Sequence, residues 1–168
     1  DEESWHVHSR GLCSDIGSGY PGLECYSGEK EMPKEKPHRW LFAASGQVIA
    51  KEDTCDLGLA PRAAYWDADV QRELITDSRI YKFETGATCL EPLEGSQIAW
   101  ADILGDWREE IVVSAPGELR IYSTTIPAED RRPCLMQDPI YRQDVAHLAM
   151  AYPQPPMLSY WIGGQGGR

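Results

Sequence analysis

The run Ala101-Asp102-Ile103-Leu104-Gly105-Asp106-Trp107-Arg108-Glu109-Glu110 places two aspartates, a turn glycine and two glutamates directly before the apolar stretch Ile111-Val112-Val113. Hard cations take several oxygen ligands, and carboxylates spaced every four residues along a short loop can converge on one ion. Asp102, Asp106 and Glu110 are therefore candidate calcium ligands, although Leu104 stands where a third side-chain oxygen is expected. The plainer alternative is an acidic surface turn that feeds a strand. Asp67 and Asp69 have an i, i+2 spacing that a turn can also bring onto one cation. There is a further echo. Asp15 through Glu24 leads into Cys25-Tyr26 much as Asp102 through Glu110 leads into Ile111-Val112, so each acidic loop precedes an apolar strand start.

The elements that must carry these loops read as short strands. Trp40–Ala44 and Gln47–Ala50 flank Ser45-Gly46, a hairpin signal. Ile111–Ser114 and Leu119–Ser123 flank Ala115-Pro116-Gly117-Glu118, a second hairpin. Arg79–Glu84 alternates polar with apolar residues, as a half-buried strand does. Residues 26–38 are charged and broken by proline, which predicts a solvated loop. Asp138–Met150 is the one segment that predicts a short helix, with Pro139 near its start. Fifteen glycines and twelve prolines favour a loop-rich, all-β architecture over a helical bundle. Strands and hairpins at this spacing suggest a sandwich or a propeller, and the acidic-loop echo fits the blades of a repeat protein.

Composition narrows the partners. A formal net charge of -11 argues against a nucleic-acid partner and is compatible with cation binding. An acidic polysaccharide would need local basic residues or a bound cation to approach such a surface. No apolar run is long enough to span a membrane. The opening Asp1-Glu2-Glu3 reads as a processed or truncated start. The five cysteines, Cys13, Cys25, Cys55, Cys89 and Cys134, include no close pair of the zinc type. They allow two internal disulfides and one thiol, with the connectivity open; some of them could equally be small buried apolar residues.

Several longer motifs agree with one known family. Leu104-Gly105-Asp106-Trp107-Arg108-Glu109-Glu110 is followed by Leu119-Arg120-Ile121-Tyr122-Ser123-Thr124-Thr125-Ile126-Pro127, then Leu135-Met136-Gln137-Asp138-Pro139-Ile140-Tyr141-Arg142, then Tyr152-Pro153-Gln154-Pro155-Pro156. Upstream stand Tyr65-Trp66-Asp67-Ala68-Asp69-Val70-Gln71-Arg72-Glu73-Leu74, and Arg10-Gly11 through Asp15-Ile16 to Tyr20-Pro21-Gly22-Leu23-Glu24. In this order they resemble the C-terminal part of the rhamnogalacturonan lyases of polysaccharide lyase family 11, across nearly the whole chain.

The resemblance implies an eight-bladed β-propeller, of which residues 1–168 supply only the last few blades. Another polypeptide, or the missing N-terminal part, would have to complete the ring. It implies a secreted, calcium-assisted enzyme that cleaves the rhamnogalacturonan-I backbone of pectin by β-elimination. A base removes the proton at C5 of a galacturonate, a cation or arginine neutralises the neighbouring carboxylate, and an acid protonates the leaving oxygen. Arg10 falls on the position implicated in carboxylate contact, and Tyr152 on a position implicated in catalysis. Asp15 and Glu24 flank a loop in which Gly17 replaces the family's second aspartate. About ten residues before the Gly-Asp-Trp-Arg-Glu-Glu block the family carries a lysine; here Leu93-Glu94-Gly95-Ser96 has none, and Glu94 lies nearest. A carboxylate there would repel a uronate. His6 and His8, close to Arg10, read first as polar loop residues, with substitution for the base as the alternative. Trp107, Arg108 and Glu109 read as a brace between blades, and Trp5, Trp40, Trp66, Trp100 and Trp161 as core or sugar-stacking aromatics. The alternative is a non-catalytic, lyase-like propeller chain that binds another glycan or works in assembly with a partner chain.

Overall fold

The computed structural model describes residues 11–28, 39–128, 130–152 and 154–165. Within them the chain forms three antiparallel sheets and one α-helix. The first sheet runs β1 (Leu12–Ser14), β2 (Glu24–Gly28), β3 (Arg39–Ala43) and β4 (Val48–Lys51), each strand beside the next. The second runs β5 (Arg62–Ala64), β6 (Glu73–Ile75), β7 (Ile80–Tyr81) and β8 (Thr88–Leu90) in the same manner. The third holds β9 (Ser96–Ala101), β10 (Glu110–Ala115) and β11 (Glu118–Tyr122), with β10 in the middle.

Both expected hairpins form. β3 and β4 turn at Ser45-Gly46, with Gly46 at φ +85° and its N–H donated to Ala43 O. β10 and β11 pair from Ile111↔Tyr122 to Ala115↔Glu118, so Pro116-Gly117 forms the whole turn. Gly117 at φ +81° supplies the left-handed residue, which a side chain would resist. The strand expected over Arg79–Glu84 is shorter, because pairing stops after Tyr81. Lys82 opens a turn instead, its N–H and C=O bonding Ala87 O and Gly86 N at 2.9 Å. The loop expected over 26–38 starts late, since Tyr26, Ser27 and Gly28 pair with β3; residues 29–38 lie outside the described residues.

The second sheet sits between the other two, and its two-residue period shows how. Ala63 and Leu74 join Leu12, Ile16, Tyr26 and Leu41 in the core against the first sheet. Their chain neighbours Ala64 and Ile75 face the opposite way, joining Trp100, Ile111, Val113 and Leu148 in the core against the third. β6 is therefore buried at all three positions, and the small alanines of β5 let both neighbours approach.

One local motif occurs in all three sheets. Ser14↔Glu24, Ala64↔Glu73 and Ala101↔Glu110 are paired, so a buried glutamate opens the second strand of each hairpin. Its Oε2 accepts the N–H groups two and three residues past its partner: Ile16 and Gly17 at 2.8 and 3.2 Å, Trp66 and Asp67 at 3.0 and 3.4 Å, Ile103 and Leu104 at 2.9 and 3.0 Å. A carboxylate accepts several donors at once, and backbone groups leaving a buried strand need acceptors. The residue before the clamp then donates its N–H to the preceding sheet's loop, Arg72 to Asp15 O (2.6 Å) and Glu109 to Tyr65 O (2.7 Å). The acidic loops are thus joined in series along one edge.

The helix α1 (Pro139–Ala149) forms where it is expected. Asp138 caps it, Oδ1 accepting from Ile140 and Tyr141 N–H at 2.8 and 3.1 Å, and Pro139 occupies the first turn, where its missing N–H costs nothing. Asp138 Oδ2 accepts from Ser159 N and Oγ, which folds the C-terminal segment back onto the helix start. Tyr141 and Leu148 point inward.

Candidate functional site

The third acidic loop uses its carboxylates internally. Asp102 Oδ1 accepts Gly105 N–H at 2.7 Å, and Oδ2 accepts Trp107 N–H at 3.2 Å and Leu135 N–H at 2.7 Å. Beyond its two clamped N–H groups, Glu110 accepts Ser123 Oγ–H at Oε1 (3.1 Å). Asp106 turns away to Arg108, accepting its N–H at 3.1 Å and pairing with its guanidinium, and this partner lowers the Asp106 pKa against the opposing effect of burial. Asp102, Asp106 and Glu110 therefore do not present a converging set of open oxygens, and calcium does not fit this loop as it is folded. Trp107 sits at φ +72°, a left-handed conformation costly for a bulky residue. It is held there by its N–H bond to Asp102, its indole N–H to Asp130 O at 3.0 Å and an edge-on contact with Tyr65.

Glu109 is the brace between the second and third sheets. Its Oε2 accepts Tyr65 N–H at 2.8 Å and lies 3.7 Å from Arg72 Nε; its Oε1 accepts the Tyr141 hydroxyl at 2.6 Å. Arg72, equally buried, lies over the Tyr65 ring at 4.3 Å and donates to Pro156 O at 2.5 Å. Three other parts of the chain, at Tyr65, Tyr141 and Pro156, meet on these two charges. Burial raises the Glu109 pKa, and Arg72 and the Tyr141 hydroxyl oppose the rise.

In the second loop Asp67, Glu73 and Cys89 bring ligand atoms within 4.8 Å of one another, yet an ammonium already lies among the carboxylates. Lys82 Nζ is 2.6 Å from Asp67 Oδ2 and 3.5 Å from Glu73 Oε1, and also bonds Asp69 Oδ2. A divalent ion would have to displace this lysine or sit against its charge, so Asp67 and Asp69 fit an internal ion pair better than a calcium site. Glu73 carries the cost. Burial, then the charge of Asp67, raises its pKa from 4.5 to about 8. A raised carboxyl pKa contributes stability that is full below about 4.5 and is lost as pH rises through about 8. Glu73→Gln keeps an oxygen for the Trp66 N–H and does not titrate. The variant's melting temperature should therefore fall less than the wild type's across that window. Parallel melting curves for the two proteins would contradict this account.

The first loop differs. Asp15 Oδ2 accepts the Trp161 indole N–H at 2.8 Å, and Oδ1 is 3.4 Å from Gln71 Nε2. Glu24 Oε1 is buried with no hydrogen-bond partner among the described residues. Burial raises both carboxyl pKa values. Of the three loops this one keeps a buried carboxylate oxygen unanswered, which is the feature a cation or water would satisfy. Trp161, exposed at its rim, lines a cavity of about 240 Å³ with Asp15, Tyr65 and Arg72.

Tyr152 follows the helix. Ala151 at φ +69° swings the chain out, and the Tyr152 side chain is 69% exposed. It lines a cavity of about 340 Å³ with Asp144, His147, Gln154, Pro155 and Met157. Asp144 is oriented by Met157 N–H at 2.9 Å, and its Oδ1 lies 3.9 Å from His147 Nδ1. Glu94 is elsewhere: it pairs with Arg120 at 2.6 Å on the exposed side of the third sheet, its N–H donated to the Tyr122 hydroxyl. Arg10, His6, His8 and Trp5 lie outside the described residues. Trp66 and Trp100 are core.

Sequence reasoning missed the roles of Glu73, Lys82, Arg72 and Tyr141, and the Asp144–His147 pair. The signal for Glu73 was present, as a third copy of the acidic loop before a strand.

The model for rhamnogalacturonan lyase family 11, C-terminal domain, matches residues 3–167. The rhamnogalacturonan endolyase YesW of Bacillus subtilis is 34% identical over 95% of this chain, and the exolyase YesX of the same organism 28% identical over 95%. The chain spans only 27% and 30% of their lengths. The crystal structure of YesW superposes with a TM-score of 0.75 at 33% identity, covering 95% of this chain and 27% of that one. A Bacillus licheniformis rhamnogalacturonan lyase superposes at 0.73 with 32% identity, covering 98% and 29%. With its clamped loops, its brace and its exposed tyrosine in this frame, the chain belongs to rhamnogalacturonan lyase family 11, of which it carries the C-terminal domain.

Proposed function

We propose that this chain is the C-terminal part of a secreted β-propeller lyase that cleaves rhamnogalacturonan I by β-elimination. The observation that carries the reading is the exposed Tyr152 hydroxyl on a cavity shared with His147 and Asp144, within a chain matched almost end to end by the family. A phenol presented this way can protonate a leaving sugar oxygen. Arg10 is assigned the uronate carboxylate, for which a guanidinium has matching geometry. Each sheet is read as a blade. The outward Leu119 and Ile121 on β11 suit packing against a further sheet supplied by the rest of a longer protein. Where calcium takes part, Asp15 and Glu24 would hold it, and it would supply positive charge near an anionic substrate.

The test is ultraviolet detection of unsaturated product from rhamnogalacturonan by the complete lyase. Tyr152→Phe should lower turnover about a hundredfold, because only the hydroxyl is lost, while leaving the melting temperature unchanged. A variant as active as the wild type would remove Tyr152 from the mechanism. The second reading, a glycan-binding or assembly chain without activity, is favoured by one observation: Glu94, nearest the family's lysine position, is engaged by Arg120. Sugar binding without any unsaturated product would select it.

A further inference from the structure

Cys13 in β1 and Cys25 in β2 are directly opposite in the antiparallel register, and both are exposed. Their Sγ atoms are 3.2 Å apart. Opposed residues in such a pair have Cα separations of about 4.5–5.5 Å, inside the range a disulfide spans. The other three cysteines are in separate places: Cys55 in the core between the first and second sheets, Cys89 in β8 and Cys134 beside Gly105.

We propose that Cys13 and Cys25 are a disulfide site that ties the foot of the first acidic loop. The next pair inward is Ser14↔Glu24, so the bond would fix the base of the loop that holds Asp15 and the Glu24 clamp. Among the described residues β1 is an edge strand of three residues paired with β2 alone, and a covalent link there removes its freedom to peel away. The oxidant is a small-molecule disulfide such as oxidised glutathione. One cysteine thiolate attacks a glutathione sulfur, forming a mixed disulfide and releasing one glutathione thiolate. The second cysteine thiolate then attacks the protein sulfur of that mixed disulfide, forming the Cys13–Cys25 bond and expelling the second glutathione. Two protein thiols are oxidised, one glutathione disulfide is reduced, and the two protons pass to the two leaving thiolates.

The native chain is incubated with oxidised glutathione, alkylated in denaturant and cleaved after glutamate. Cleavage after Glu24 puts Cys13 and Cys25 on different peptides, whereas cleavage at Lys and Arg would leave them together. The expected result is a linked pair of peptides carrying Cys13 and Cys25, with Cys55, Cys89 and Cys134 alkylated. The oxidised chain should melt roughly 5 °C or more above the dithiothreitol-treated chain, and Cys25→Ser should abolish that difference. The mapping on the wild type stands even if the variant folds poorly. Five alkylated cysteines at equilibrium, a link to any other cysteine, or a link only between two chains would each overturn the proposal.

Discussion

Replacing Glu109 by alanine is expected to cost about 3–5 kcal/mol, the usual penalty for breaking a buried ion pair from one side. Three groups lose their acceptor together. Arg72, buried as deeply as Glu109, keeps its charge and loses its one carboxylate partner at ion-pair distance among the described residues. The Tyr65 N–H, 2.8 Å from Oε2, and the Tyr141 hydroxyl, 2.6 Å from Oε1, are left without their partner in a dry site. The loss joins three regions, since Tyr65 follows β5, Tyr141 belongs to α1, and Arg72 also holds Pro156 O in the C-terminal segment. For a chain of this size the melting temperature should fall by roughly 10 °C. Arg72→Met should be destabilising alone but should lessen the harm of Glu109→Ala, because the unpaired cation goes with it. The double variant is then more stable than the sum of the two single losses. A loss under about 1 kcal/mol for Glu109→Ala, or strict additivity, would show that these groups do not act together.

How far the sequence revealed this depends on whether the deciding contact was local. The hairpins at Ser45-Gly46 and Pro116-Gly117 and the Asp138-Pro139 helix start were legible, because turn and cap chemistry lies within a few residues. The end of the strand at Tyr81 was not, because Lys82 is drawn to Asp67, Asp69 and Glu73 on another loop. The acidic loops were found, but spacing did not separate two uses of their carboxylates, for a physical reason. A calcium site and a backbone clamp both need carboxylate oxygens aimed into one loop, so spacing alone serves either. What separates them is whether N–H groups already fill those oxygens, as they do at Asp102 and Glu110. The third copy, at Glu73, escaped notice because Tyr65 stands where Asp15 and Asp102 stand in the other two. Glu109 was legible as a brace, though its partners Arg72 and Tyr141 were not, being distant in the chain. Tyr152 came only from the family resemblance; its exposure depends on the left-handed Ala151, which no sequence rule anticipates.

Asp102 gives the sharpest separation of clamp from metal ligand. Asp102→Ala removes the acceptor of Gly105, Trp107 and Leu135 N–H at once, and it releases Trp107 from the bond that helps hold its left-handed conformation. A loss of about 3 kcal/mol or more is expected, since each buried donor left unsatisfied costs about 1–3 kcal/mol and some will find water. Asp102→Asn has nearly the same shape but only one acceptor oxygen. Its amide group must face either the Gly105 N–H or the Trp107 and Leu135 pair, donor against donor, so it should recover little of the loss. A calcium ligand behaves differently, because its contribution is removed by chelator as well as by mutation. The expected result is that the melting difference between wild type and Asp102→Asn is the same with and without EDTA. If chelator instead lowers the wild type to the level of Asp102→Asn and leaves the variant unmoved, the loop holds an ion and the clamp account of Asp102 fails.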